Sequence, residues 1–313
     1  MSVRSCPLCQ ETSARYERNV RGVDLARCRN CGFVFADLPN RTIAEANAAL
    51  GADILDYYET SQADLDQVWF AQIAARFGRD GARVLDVGCG NGLLVEAFRR
   101  RGCAAEGLDP SQWARKAAVE KGFVLHEGYV EDERLPAGGY DTVTATSTFE
   151  HAPKPVQLAR SLLRLVRPGG ILYLCGMPNY GSWAVRIGLA TFRHNNPPWH
   201  ASFFTSRTLR AVFEHPHTRP FLDRSDIRTY GFPELHHYYS NAIRRRNQSV
   251  DPDGPARGKR HEAPASALQK LAIAAYIQLG RPLRLGDKLE VIVRRSQVPW
   301  NGSNSGITQT GGF

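Results

Sequence analysis

One stretch, Val84 to Leu94 with the sequence VLDVGCGNGLL, constrains this chain more than any other. An apolar run carries an acid, Asp86, then a turn holds Gly88, Gly90 and Gly92, and a helical pattern begins at Leu93. A strand that runs through a glycine-rich turn into a helix N-terminus builds a site for a nucleotide-like cofactor, because free backbone N–H groups and the helix dipole face the ligand there. The glycines let backbone and ligand approach where a Cβ would collide. Asp109 closes a second apolar run, 23 positions after Asp86. An acid at that distance is placed to accept hydrogen bonds from ribose hydroxyls. A bare G-x-G-x-G carries little information; the strand before it, the helix after it and the acid at the right distance make it specific.

Strand and helix patterns alternate from this stretch onward. Apolar runs predict strands at 83–87, 104–108, 124–127, 140–145 and 171–175, with helices at 93–101, 112–121 and 155–165. Arg167-Pro-Gly-Gly170 reads as a turn that stops the last of these helices. Further strands are predicted at 227–230 and 287–295, the latter from the alternation of Leu289, Val291 and Val293. The resulting fold class is α/β, a doubly wound, Rossmann-like, seven-stranded sheet with right-handed crossovers. A helix at 182–191 forms an insertion after the fifth strand, and Thr205 can N-cap a helix through Phe213.

The N-terminus has a different logic. Cys6-Pro-Leu-Cys9 and Cys28-Arg-Asn-Cys31 are two C-x2-C pairs separated by 18 residues, a spacing that suits a small β-ribbon whose two knuckles converge on one ion. Four thiolates around Zn²⁺ make a closed tetrahedral site, which is structural because it has no open position. Metal binding then supplies folding energy that so short a segment cannot obtain from a core. Gly32 permits the tight turn after Cys31, and Phe33-Val34-Phe35 reads as a strand packing on the ribbon. Cys89, Cys103 and Cys175 lie in apolar contexts and read as core thiols. The expected organisation is a zinc ribbon at 1–40, a helical linker or cap at 41–80, the cofactor-binding domain at 81–296 with a mobile basic loop near 241–264, and a flexible tail at 297–313.

Of the 313 residues, 42% are hydrophobic and 10% aromatic, enough for a packed core. No apolar run reaches the roughly 18–20 residues of a membrane span, and MSVRSCPLCQ lacks a signal-peptide core, so a cytoplasmic location without a transmembrane segment is expected. The net charge of +9 favours acidic partners without choosing among them. Acidic residues interleave with the ribbon's arginines, which reads as an ordinary solvated surface.

The pattern resembles the class I S-adenosylmethionine-dependent methyltransferases, and within them the subgroup with an N-terminal four-cysteine zinc ribbon. The residues that carry the resemblance are CPLC, RCRNCGFVF, VLDVGCGNG, GLDPS, YDTVTATSTFEH, LVRPGGILYL, HASFFTSRTL and GDKLEVIVRR, which span nearly the whole chain in order. The resemblance implies S-adenosylmethionine as cofactor, its methionine moiety lying against Gly88, Cys89 and Gly90. Asp86 would reach the amino group through water and Asp109 would take the ribose hydroxyls. Tyr129 and Val130 would flank adenine, and the backbone at Thr146 and Ser147 would approach the amino-acid end. NAD is the main rival for such a turn, but the pattern D-x-G-x-G-x-G departs from G-x-G-x-x-G.

Methyl transfer to a hydroxyl or carbon acid is helped by a general base, and histidine suits that role near neutral pH. His151, which follows Glu150 after the fourth strand, and His200, in the stretch PPWHASFF, are the candidates for a base or for orienting the acceptor. A helix-start hydrogen bond for His151 and a loop-anchoring contact for His200 are the structural alternatives. Some relatives with a Glu–His pair here hold a divalent cation through a further acid; Thr146-Ser147-Thr148 offers none. Trp183, Phe192, Trp199, Phe203 and Phe204 serve as an acceptor wall or as core. The leading reading is methyl transfer to oxygen, nitrogen or carbon of a small molecule such as a sugar, a lipid-linked intermediate or a secondary metabolite. An RNA methyltransferase that uses the ribbon and the basic loop on phosphates ranks second, and a non-catalytic S-adenosylmethionine-binding scaffold third. The sequence leaves the oligomeric state open.

Overall fold

The computed structural model describes residues 5–20, 22–39, 63–132, 134–182, 197–230 and 286–300, with the single residues 42 and 185. The expected helix at 182–191, the basic loop near 241–264, the tail beyond 300 and most of 41–62 lie outside the described residues. Among the described residues no helix is long and apolar enough to cross a membrane.

Seven strands form the central sheet in the order β10-β11-β8-β7-β4-β5-β6. They are β4 (Arg83–Val87), β5 (Ala104–Asp109), β6 (Leu125–Glu127), β7 (Tyr140–Thr146), β8 (Val166–Pro178), β10 (Leu222–Tyr230) and β11 (Lys288–Arg295). The pairs among β4 to β8 are parallel, and β11 runs antiparallel between β8 and β10. Parallel neighbours need crossovers, and the helices between these strands supply them: α2 (Leu93–Arg99), α3 (Gln112–Lys121) and α4 (Pro155–Leu165).

Side chains alternate across the sheet, and each face buries its own layer. Leu85, Leu172 and Leu174 face Leu158, Leu162 and Leu163 of α4, together with Leu209, Val212 and Phe213 of α5 (Ser206–Glu214). Val84, Tyr173 and Cys175 face the other way, onto Leu94 and Phe98 of α2 and onto Ile73, Ala74 and Phe77 of α1 (Ala63–Phe77). Trp69 and Phe70 of α1 pack against this second layer. Helix α5 begins with a full capping box, in which Thr205 and Thr208 each accept a hydrogen bond from the other's backbone N–H.

The Arg167–Gly170 stretch corrects the expected turn. Strand β8 already starts at Val166, where it pairs with Tyr140, and Ile171 pairs with Thr142, so residues 167–170 bulge out opposite Asp141 alone. Arg167 fastens the bulge by donating from Nε to Asp141 Oδ1 at 2.6 Å. Proline and glycine here mark an interruption within a strand rather than its boundary.

A second, four-stranded antiparallel sheet has the order β1-β2-β3-β9, from β1 (Ala14–Val20), β2 (Val23–Cys28), β3 (Val34–Ala36) and β9 (Ser202–Phe203). Its fourth strand comes from the segment between β8 and α5. Cys6, Leu8, Cys28, Phe33 and Phe35 of the N-terminal segment belong to the same buried cluster as Phe149, Phe204 and Phe213. Arg27 is held by Glu17 in a two-pronged pair, Nε to Oε2 at 2.8 Å and Nη2 to Oε1 at 2.7 Å, so that arginine is spent within the sheet.

Candidate functional site

The order of the central sheet reverses direction at β4, which has β5 on one side and β7 on the other. In open α/β sheets ligands bind beyond the carboxyl ends of the strands at such a switch point. The glycine-rich turn, the end of β5 and the turn after β7 all meet there.

Gly88 has φ +71°, and a Cβ on it would lie 2.3 Å from the Thr148 hydroxyl oxygen. The turn after β4 therefore packs directly on the turn after β7. Gly90 in turn approaches the Trp113 ring, 2.6 Å from where its Cβ would be. These glycines are demanded by neighbouring protein atoms as well as by any ligand. The Cys89 side chain is buried in the core cluster, where burial pushes its thiol up, and only its backbone is left to face a ligand.

Asp86 is 3% exposed, and burial pushes its carboxyl up to about 7, aided by the nearby Asp109 and opposed by the hydrogen bond from Thr144 Oγ1 at 2.7 Å. Asp109 accepts from Gly90 N–H at 3.0 Å through Oδ2 and from Ser111 N–H at 2.8 Å through Oδ1. Each oxygen keeps a second lone pair, so the carboxylate is oriented by backbone donors and still able to accept from a diol. Beyond it lies a cavity of about 400 Å³ lined by Leu108, His126, Tyr129, Val130, Arg134 and Leu135 among others. Tyr129 is exposed at its rim and Val130 is buried in its wall.

The turn after β7 holds the candidate catalytic residues. Ser147 has φ +48°, a left-handed conformation costly for an L-residue, and its N–H donates to Cys175 O at 2.9 Å. Thr146 Oγ1 lies 3.5 Å from Cys175 Sγ, and Thr148 Oγ1 donates to Thr146 O at 2.9 Å. A single helical turn, Phe149–His151, then presents Glu150 and His151. His151 Nδ1 lies 3.0 Å from Trp199 O. A carbonyl only accepts, so Nδ1 carries the proton and the neutral ring has its lone pair on Nε2. His151 is thus anchored through its ring to the segment before His200. The His200 ring stands edge-on to His151, with centroids 5.1 Å apart and an interplanar angle of 87°. Glu150 is 3% exposed, and its Oε2 has no hydrogen-bond partner among the described residues.

The ligand atoms of Glu150, His151 and His200 all lie within 4.8 Å of one another. This set can hold a divalent cation or move a proton. The third donor comes from His200, not from an acid in 146–148.

The four N-terminal cysteines also converge, all sulfurs lying within 4.8 Å of one another. Cys6 Sγ and Cys31 Sγ are 3.6 Å apart, as are Cys9 Sγ and Cys28 Sγ. Four thiolates at the usual Zn–S length require S···S edges of about 3.8 Å, so the donor set fits a tetrahedral ion. The two knuckles match: Gln10 and Gly32, each following the second cysteine of a pair, have φ +64° and +78°. Asn30 Nδ2 donates to Cys9 Sγ at 3.7 Å, a contact that favours a thiolate.

Trp113 has no signal in the sequence, and Trp199 and Phe204, read there as acceptor wall or core, take part in ways the sequence does not specify. Trp113 closes over Gly90, Trp199 acts through its carbonyl, and Phe204 packs between Phe33 and Phe149. Of the aromatics read as an acceptor wall or as core, Phe203 and Phe204 are core, Trp199 is half-buried, and Trp183 and Phe192 lie outside the described residues.

Residues 61–215, about half of the chain, match a family model described as a methyltransferase domain. Among curated proteins, the ubiquinone biosynthesis O-methyltransferase of Sodalis glossinidius is 39% identical over 118 residues, 35% of this chain and 47% of that protein. The protein of that name from Escherichia coli is 37% identical over 118 residues, 35% of this chain and 49% of its own length. The chain thus spans about half the length of the curated relatives it matches. A SAM-dependent methyltransferase from Archaeoglobus fulgidus has the same fold, with a TM-score of 0.52 at 16% identity over 78% of this chain and 99% of the other. The chain carries a methyltransferase domain.

Proposed function

We propose that this chain transfers a methyl group from S-adenosylmethionine to a hydroxyl oxygen of a small molecule. The observation that carries the reading is the junction of Gly88 with Thr148, which sets a cofactor-type turn two residues from the buried Glu150–His151–His200 cluster. The O-methyltransferase relatives support oxygen as the acceptor atom, and methyl transfer to a hydroxyl is helped by a base.

When bound, S-adenosylmethionine supplies a methyl group already activated by its sulfonium. Asp109, held by Gly90 and Ser111, would accept from the ribose hydroxyls, and Tyr129 and Val130 would flank adenine. Asp86 and the backbone of Gly88, Cys89, Gly90, Thr146 and Ser147 would surround the amino-acid end. With the cofactor bound, its sulfonium sulfur would leave as a neutral thioether when the acceptor oxygen takes the methyl group, and His151 Nε2 would hold the acceptor's proton while its Nδ1–H stays on Trp199 O. Glu150, 3% exposed, sets a carboxyl group within 4.8 Å of the ligand atoms of both imidazoles. Zn²⁺ fits Cys6, Cys9, Cys28 and Cys31 as a structural ion.

A divalent cation held by Glu150, His151 and His200 is a second reading of the cluster, favoured by the buried, unpartnered Glu150 Oε2. It would supply a Lewis acid for the acceptor oxygen. The test is transfer of labelled methyl from S-adenosylmethionine to a panel of phenols, sugars and amines, before and after chelation and with Mg²⁺ restored. Transfer to hydroxyls that survives chelation supports the base. Transfer that returns only with Mg²⁺ supports the cation. Binding of S-adenosylmethionine without transfer to any hydroxyl sinks the proposal.

A further inference from the structure

The four-cysteine site and the Glu150–His151–His200 cluster are joined by two independent routes. The first is a backbone ladder. Strand β3 pairs with β9 through Val34 with Phe203 and Phe35 with Ser202. Ala36 N–H donates to Ala201 O at 3.0 Å, and Ala201 N–H donates to Glu150 O at 3.0 Å. Ser202 Oγ then donates to Ala152 O at 2.6 Å. Residues 201 and 202, immediately after His200, are therefore hydrogen-bonded to the N-terminal sheet on one side and to the Glu150 turn on the other. Strand β9 has two residues and, among the described residues, β3 as its one neighbour in the sheet.

The second route is a run of aromatic rings. Phe33 follows Cys31-Gly32, and its carbonyl accepts from Cys28 N–H at 2.9 Å. Its ring meets Phe204 at 5.4 Å between centroids, and Phe204 meets Phe149 at 5.3 Å. All three are 0% exposed, and Phe149 directly precedes Glu150. Buried cores are close-packed, so a displaced ring at one end has nowhere to move without its neighbours.

We propose that Phe33 and the Ala36 N–H are positioning groups, through which metal occupancy of the four-cysteine site sets the placement of His200 against Glu150 and His151. The inference rests on the reading of that cluster as the methyl-transfer centre. A ribbon this short keeps its strands in register only while its metal is bound. Loss of the ion releases β3, and with it the ladder and the ring stack, whereas Asp109 and the glycine turn belong to the central sheet and stay in place. The metal is thereby coupled to turnover without touching any reacting atom.

The test uses full-length protein with two substitutions that leave all four cysteines intact. Ala36→Pro deletes the one N–H that reaches Ala201, and Phe33→Ala breaks the ring stack. Zinc content, S-adenosylmethionine affinity, kcat with its pH profile, and imidazole NMR signals of His151 and His200 are measured together. The expected result is about one zinc per chain and cofactor affinity within about twofold of the parent, but kcat lower by tenfold or more. The pH profile shifts and the two imidazole signals move, and stripping zinc from the parent produces the same spectral change. Unchanged imidazole signals and pH profile in both variants and in the stripped protein overturn the proposal. If Ala36→Pro does not fold, Phe33→Ala, its milder form Phe33→Leu and the stripped parent decide it. Failure of the functional reading looks different: the parent transfers no methyl, while the imidazole signals still report whether the metal positions the cluster.

Discussion

The imidazoles of His151 and His200 meet edge to face, 5.1 Å apart, although 48 residues of chain separate them. His151 is tied in the same place to the Trp199 carbonyl, so the two rings and their backbones form one unit. Residues that act as a unit are not additive when removed. His151→Ala is expected to lower kcat by about 10²–10³ with cofactor affinity unchanged, and His200→Ala by less. The double variant should be no slower than His151→Ala by more than a few-fold. Single-turnover rates check this, and full additivity would mean that the two rings act separately.

Asp109 is held by two backbone donors, so its loss costs both orientation of the turn and the ligand's hydrogen bonds. Asp109→Ala should weaken S-adenosylmethionine binding by tenfold or more, in line with about 1.5–3 kcal/mol for a hydrogen bond to a charged group. Asp109→Asn, which keeps one oxygen, should fall between. Calorimetric titration measures both, and parental affinity in Asp109→Ala removes the ribose assignment.

Asp86 has its carboxyl raised by burial to about 7, far above the unfolded value near 3.9. Between those values the native state holds a proton that the unfolded state has lost. Stability from this group is therefore present at low pH, declines as pH rises through that window at up to about 1.4 kcal/mol per unit, and levels off above about 7. Asp86→Asn removes the titration, so its melting temperature relative to the parent should climb from about pH 5 to about pH 8. A constant difference across that range would place the Asp86 pKa elsewhere.

Gly88→Ala introduces a Cβ into the Thr148 hydroxyl at a left-handed φ. It should cost about 1–3 kcal/mol in stability and slow methyl transfer by shifting the Glu150 turn. Adding Thr148→Ala should recover the steric share but not the backbone share. Denaturant titration of the single and double variants separates the two. An undiminished loss in the double variant would show that the contact is not what excludes a side chain.

Cys28→Ser, at a buried sulfur, is expected to abolish retention of zinc and to lower the melting temperature. Metal analysis after gel filtration reads the first effect and calorimetry the second. Retention of one zinc per chain by the variant would mean that the ion sits elsewhere.

Strand β4 was legible because it is buried on both faces and reads as an apolar run; β4 and α3 fall at their expected bounds. Strand β10 begins at Leu222, earlier than expected, because the polar sequence Asp223-Arg-Ser-Asp226 hides a strand at the sheet's edge. The bulge at 167–170 was read as a boundary, since proline and glycine give the same local signal in both settings. Strand β9 has no local signal at all: two residues form it, and their partner lies in the N-terminal segment. The candidate residues were legible singly, from the glycine turn, Asp109, the Glu–His pair and the paired cysteines. Their assembly was not, because it depends on a backbone carbonyl at Trp199 and on aromatic packing, neither of which has a sequence pattern.

The pairing of Phe35 with Ser202 also orders events during synthesis. The N-terminal strands leave the ribosome roughly ten to thirty seconds before their fourth strand exists, at typical elongation rates. Throughout that interval β3 is an open edge, the kind of surface on which unfinished chains associate. The nascent chain must therefore carry its four-cysteine sheet with one edge unpaired until the middle of the sequence arrives to close it.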